Sequence, residues 1–209
     1  MVRLYEKAAE RNHYKAMNNL AVIYAFGEGA EQDMGRALSL VERMMQQNIG
    51  MGYYKMGAFI EQGIGVEQDQ LAALAYYRRA ADLGSPQGQY AVGKKLFGDF
   101  LQTPERDRIV PIGLKMLECA LAQGESKAGI ELGYEFALSG TDVPRGLAYF
   151  QKAGALGNMD GLYVLHTAFK DGDWGIEKDP ARAACYYKLL EEVRADNKKT
   201  FPNIDRICP

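Results

Sequence analysis

Residues able to move protons, attack carbonyls or hold metals are few in this 209-residue chain, and their spacing is poor. Two histidines occur, His13 and His166, and three cysteines, Cys119, Cys185 and Cys208. No C-x-x-C pair is present, which argues against a zinc or thioredoxin-type site. The G-x-x-x-x-G-K-[ST], G-x-S-x-G and H-E-x-x-H patterns are also missing. Asp171, Asp173, Glu177 and Asp179 cluster four carboxylates around a loop. That segment lacks the third ligand and the sixth-position glycine of a calcium loop. His13 reads as a solvated turn residue. His166 has no Ser or Cys near it in register, so it reads as a packed imidazole rather than a base. A hydrolase site around His166 and the Asp171–Asp179 loop is the enzymatic alternative. No catalytic, cofactor-binding or metal-ligating set is assigned.

Charge narrows the partners. Lys plus Arg total 25 against 27 Asp plus Glu, a formal net charge of −2. Such a balance offers no field for nucleic acid or an anionic membrane. No run of about 20 apolar residues exists, so no helical membrane span is expected.

The elements that would position any of these residues are written in the glycines, 23 of them. Ala21, Gly57, Gly93, Gly133 and His166 follow at intervals of 36, 36, 40 and 33 residues. Five positions before each stands a small residue: Ala16, Gly52, Gly88, Ala128 and Gly161. Apolar residues occupy the positions one before and three after, the stripe of an amphipathic helix with close-packing sites. A second column, Ala8, Met44, Ala80, Ala120 and Ala153, repeats the same four intervals. Four residues after each comes Asn12, Asn48, Gly84, Gly124 or Gly157, residues suited to a left-handed helix terminus. Asp33, Asp69, Asp142 and Asp179 precede the second helix, each a good N-cap, with Pro180 placed for a first helical turn. The repeating unit is helix A, glycine loop, Asp-capped helix B and tight turn.

Gly52-Tyr-Tyr-Lys-Met-Gly-Ala-Phe-Ile-Glu-Gln-Gly-Ile-Gly-Val-Glu-Gln-Asp69, continuing through Ala73-Leu-Ala-Tyr-Tyr-Arg-Arg-Ala-Ala81 to Gly84, closely resembles the Sel1-like repeat. The resemblance implies an all-α, right-handed α/α solenoid related to the tetratricopeptide repeat. It divides residues 1–190 into a partial repeat, 1–14, and repeats at about 15–50, 51–86, 87–126, 127–159 and 160–190. Residues 191–209 then form a helix extension and an extended tail that caps the last apolar face. Because the chain begins inside a helix B, an upstream helix A or a signal peptide could precede it. The exposed edge at Tyr5–Ala9 makes self-association possible. Cys185 and Cys208 meet if the tail folds back; a disulfide and two reduced thiols both fit the sequence.

Helix A lines the inner surface in the solenoids this chain resembles, which makes a protein the expected partner. Candidate contacts there are Tyr53, Tyr54, Tyr90, Lys94, Lys95, Glu131, Tyr134, Glu135, Tyr163 and Trp174. Repeat three carries an insertion near Gln102–Pro111, read as a long loop on the binding face, adding Arg106 and Arg108. On helix B, Tyr77, Phe150 and Tyr187 read as core packing. The tail resembles bacterial Sel1-like immunity proteins of type VI secretion lipase effectors. That resemblance implies a chain that binds and blocks a phospholipase, in a periplasmic setting. The alternative is a scaffold for another envelope or signalling protein.

Overall fold

The computed structural model describes residues 1–99 and 101–209 and contains, among them, twelve α-helices and no strand. In chain order these are α1 (Val2–Glu10), α2 (Tyr14–Phe26), α3 (Met34–Gln46), α4 (Gly50–Gln62), α5 (Gln70–Asp82) and α6 (Pro86–Phe100). The remainder are α7 (Arg106–Ala122), α8 (Ser126–Leu138), α9 (Val143–Ala155), α10 (Met159–Asp171), α11 (Pro180–Ala195) and α12 (Ile204–Ile207). Two compact units result, Met1–Val92 and Gly93–Pro209. In each, helix pairs stack side by side, which is the all-α solenoid arrangement.

The local signals act where the repeat puts them. Asp33, Asp69, Asp142 and Asp179 each accept a backbone N–H from the first turn of α3, α5, α9 and α11. Asn12, Asn48, Gly84, Gly124 and Gly157 all hold positive φ, between 53° and 95°, ending helix B and turning the chain. His13 is more than a solvated turn residue: its Nδ1 accepts the Ala16 N–H at 3.3 Å and caps α2. Asn158 and Ser85 do the same for α10 and α6.

Packing explains the small-residue columns. A Cβ on Gly52 would lie 2.7 Å from Met44, and one on Gly57 would lie 2.8 Å from the Tyr77 ring. In the second unit a Cβ on Gly133 would stand 2.5 Å from the Phe150 ring. Met17, Leu20, Tyr24, Val41, Met44 and Phe59 fill the core of the first unit. Phe150, Leu162, Leu165, Phe169, Tyr186 and Leu190 fill that of the second.

Three expectations need correction. The insertion of repeat three is mostly helix, not loop. α7 has 17 residues where α3, α5 and α9 have 13, so the added residues become one further turn. Pro111 lies in its second turn, where it removes one intrahelical hydrogen bond and the helix continues past it. The tail is not extended throughout. It turns back, with the Phe201 N–H donating to the Ala155 carbonyl at 2.7 Å, and ends in the short α12. Phe201, Ile204 and Cys208 are buried, and Cys185 is joined to Cys208 with Cα atoms 5.7 Å apart. Finally, Tyr187 is not core: it is 44% exposed, whereas Tyr77 and Phe150 are buried. The cause is His166, which holds the column occupied by Gly57 and Gly133 and fills the space a ring would enter. Its own ring lies 5.1 Å from that of Tyr187.

Candidate functional site

α8 shows the solvent a row at helical spacing, Glu131, Tyr134, Glu135 and Leu138, while Ala128, Leu132 and Gly133 face the core. Across from this row, α6 runs 15 residues, two more than α4, and presents Phe97, the counterpart of Glu61 on α4. The regular loop glycine is missing there, and nothing else breaks the helix. Leu101, Gln102 and the first residue of α7, Arg106, close the end. Together they enclose a cleft of about 570 Å³, with Ser139 at its rim.

Its chemistry is mixed. Phe97, Leu101, Tyr134 and Leu138 supply apolar surface; Tyr134 is 38% and Leu138 67% exposed. The Tyr134 ring meets Phe150 edge-on at 5.0 Å, which fixes its orientation from below. Lys94 on α6 pairs with Glu131 on α8 at 2.6 Å, tying the two helices across the cleft. Burial holds the Glu135 carboxyl above its ordinary range, and the Arg106 charge acts against that shift. Burial also raises the Tyr134 phenol, with the Asp160 carboxylate adding to it. An aromatic–aliphatic floor with cations and carboxylates at the edge suits a protein surface better than a small reacting molecule.

The structure therefore brings together Arg106, Glu131, Tyr134 and Glu135, with Lys94 held to Glu131. The other candidates stand elsewhere. Tyr53, Tyr54 and Tyr90 are half-buried residues of the first unit; Arg79 lies over the Tyr53 ring, and Tyr54 packs at 5.5 Å from Tyr77. Lys95 pairs along its own helix with Asp99, and Arg108 is exposed on α7. Tyr163 is exposed on α10. Trp174 holds a φ of 55° and stacks on Phe150 at 5.8 Å, packed against the core. Phe97, Leu101, Gln102, Leu138 and Ser139 were not singled out by sequence reasoning. Asp99 stands where the register puts the loop glycine Gly63, which marks the longer α6 and the shifted Leu101; Phe97 aligns with Glu61, and its residue type was the signal.

The hydrolase alternative meets a different environment. His166 Nδ1 lies 2.9 Å from the Ala183 carbonyl, an acceptor only, so Nδ1 must carry the proton. Among the described residues no group of three or more His, Cys, Asp or Glu is placed to hold a metal ion.

The repeat register, its caps and its glycine crossings have the form of one known repeat, and residues 2–13, 15–48, 50–85, 127–158 and 167–190 match the Sel1 repeat. The chain belongs to the Sel1 repeat family. The pair α6–α7, whose helices are longest among the A–B pairs before α11, falls outside the matched stretches. The solved immunity protein PA5088 of Pseudomonas aeruginosa is 28% identical, with a TM-score of 0.82 over 100% of this chain and 78% of its own. The immunity protein Pa5087 of the same organism is 29% identical, with a TM-score of 0.79 over 100% and 79%. Mouse protein sel-1 homolog 2 is 31% identical over 90 residues, 43% of this chain. The chain spans 13% of that relative's length. As a Sel1-repeat protein the chain is a protein-binding scaffold, and no described helix is long and apolar enough to cross a membrane.

Proposed function

We propose that this protein is an immunity protein that binds a cognate secreted phospholipase of the type VI secretion system, using the α6–α8 cleft. The observation that carries the reading is the likeness, over 100% of the chain and at 28–29% identity, to two solved immunity proteins. The cleft supports it: exposed Leu138 and Tyr134 provide an apolar anchor point, and Arg106 and Glu135 provide charge selectivity at the edge. Binding there would cover the lipase's catalytic cleft or its membrane-facing surface. Such lipases act on envelope membranes, which places the complex in the periplasm. In this reading the protein is not an enzyme, since His166 spends one ring nitrogen on a backbone carbonyl and its ring face on Tyr187.

The decisive experiment looks for a lipase gene beside this one and pairs the protein with its product. Both are sent to the periplasm of a sensitive host, and survival is scored. The wild-type chain should restore growth, while Arg106→Glu combined with Leu138→Asp should fail to do so. Both residues are exposed, so the variant should keep its melting temperature within about 2 °C, as surface changes usually do. Unchanged lethality with folded wild-type protein removes the immunity reading. Rescue that survives the double substitution moves the contact away from the cleft. Turnover of a generic ester that disappears in His166→Ala would make the protein an enzyme after all.

A further inference from the structure

Residues 196–209 leave α11 and run back along the groove between α9 and α11, where few non-covalent contacts hold them. Of these fourteen residues only Phe201, Ile204 and Cys208 are buried. The Phe201 N–H donates to the Ala155 carbonyl, and Tyr186 donates to the Cys208 carbonyl at a long 3.4 Å. Lys199 pairs with Glu192 at 3.5 Å, but both side chains are partly exposed and water screens the pair. Ordering a segment of this length costs conformational entropy at every residue, and three apolar anchors return only part of it. A chain end held so lightly frays. The Cys185–Cys208 bridge prevents this. It spans 23 positions and fastens the tail at its far end, so a tail lifted from the groove gains little freedom.

The helix pairs themselves do not need a tail to stack. The preceding groove, between α7 and α9, stands open. Its Lys152 is exposed, whereas Leu189, 37 residues later in the equivalent place on α11, is buried. Lysine at the open groove and leucine at the covered one mark which of the two is built to be closed. Leu189, Leu190 and Val193 share one buried cluster with Phe201, Ile204 and Cys208. The tail's path is also seated: a Cβ on Gly157 would run into the Lys199 carbonyl.

We infer that the Cys185–Cys208 bridge is a thiol-operated latch on this end of the second unit. Closed, it keeps residues 197–209 in the groove. Opened, it lets the tail leave and bares an apolar strip at Leu189 and Val193, while α8 to α11 stay stacked. The chemistry is thiol–disulfide exchange with an external dithiol. One thiolate of the dithiol attacks the half-buried Cys185 Sγ, because Cys208 is only 1% exposed. The S–S bond breaks, and Cys208 departs as a thiolate that takes up a proton. The second thiol of the dithiol gives up its proton and displaces Cys185 from the mixed disulfide. Two protein thiols and the oxidised, disulfide form of the reductant result. The inference does not rest on the immunity reading: no residue of the α6–α8 cleft takes part, and no readout needs a lipase.

The test is hydrogen exchange, read by nitrogen-15 NMR, on the full chain before and after excess dithiothreitol without denaturant. Cys119, the exposed free thiol, is changed to serine in every sample so that it takes no part in the exchange. On reduction the Phe201 and Cys208 amides should lose protection about a hundredfold, the scale on which closing a loop of this size acts. The Leu132 and Leu165 amides, in α8 and α10, should exchange as before. Cys208→Ser should match the reduced chain with no reductant present, and should it fold poorly the reduced wild-type tail still decides. Three results overturn the inference. A bridge that dithiothreitol opens only after the protein is unfolded is no latch. Unchanged protection of Phe201 in the reduced chain means that the apolar anchors hold the tail unaided. Protection lost at Leu132 and Leu165 together with the tail makes the bridge a support of the whole unit.

Discussion

The crossings α8–α9 and α10–α11 are built on the same plan and part company where Gly133 gives way to His166. In the first, Gly133 lies under Phe150, and the ring is fully buried. In the second, His166 takes the glycine's place and Tyr187, the counterpart of Phe150, is turned to solvent. The imidazole recovers part of what is lost by donating Nδ1–H to the Ala183 carbonyl. A Cβ on Gly57 would lie 3.1 Å from the carbonyl of Ala73, which precedes α5's Tyr77 as Ala183 precedes Tyr187. The difference teaches that the conserved quantity of this repeat is volume shared between two columns. A small residue on helix A admits a large one on helix B; a large residue on A excludes it.

The strongest way to break that comparison is to give the first crossing the second one's residue. Gly133→His puts an imidazole where a single Cβ would already lie 2.5 Å from the Phe150 ring. Phe150 must leave the core or the helices must part. The expected loss is about 3–5 kcal/mol, the range for removing a buried aromatic. Urea unfolding at 25 °C measures it, and a loss below about 1 kcal/mol would mean the crossing opens freely.

The reverse exchange is gentler. His166→Gly removes a hydrogen bond worth about 1 kcal/mol and adds about 1 kcal/mol of helix penalty for glycine. It also opens room for the Tyr187 ring, which offsets part of that sum. A net loss of about 1–2 kcal/mol is expected, together with slower nitration of Tyr187 by tetranitromethane as the ring packs inward. Nitration at the wild-type rate would show that the imidazole is not what keeps Tyr187 outside.

These cases also separate what was legible in the sequence from what was not. Caps and turns are one-body properties: Asp33 or Gly84 acts on its own backbone, so its residue type announces its conformation. The four Asp caps and the five left-handed termini follow their columns for that reason. Tyr187 shares a column with Phe150, but its burial is decided by a residue on another helix, and the column alone could not tell the two apart. The cleft was half legible. Glu131, Tyr134 and Glu135 were visible as candidates on helix A, and Arg106 in a stretch read as loop that is the start of α7. Leu101 came into place through the extension of α6, and the second half of the Gln102–Pro111 insertion became part of α7. The Gln102–Pro111 stretch, flanked by prolines, reads as loop, yet Pro111 sits in the second turn of a helix.

The smallest effect concerns a polar contact found between α7 and α9 and again between α9 and α11. Glu118 accepts from Tyr149 in one, and Gln151 donates to Tyr186 in the other, so one contact is ionised and its counterpart neutral. The Tyr149 hydrogen bond, helped by those from Lys115 and Arg145, outweighs partial burial and holds the Glu118 carboxyl below its ordinary value. A carboxyl depressed in the folded state adds stability above its unfolded value, near pH 4.3, and that share disappears as the pH falls through the folded one. Glu118→Gln makes the first contact like the second. It should cost about 1 kcal/mol or less at pH 7, the scale of a partly exposed charged hydrogen bond. At pH 3 or below the two proteins should unfold at nearly the same denaturant concentration. A gap that stays constant between pH 7 and pH 3 would mean the carboxylate's charge contributes nothing, and the ionised and neutral contacts would then be interchangeable parts of the repeat.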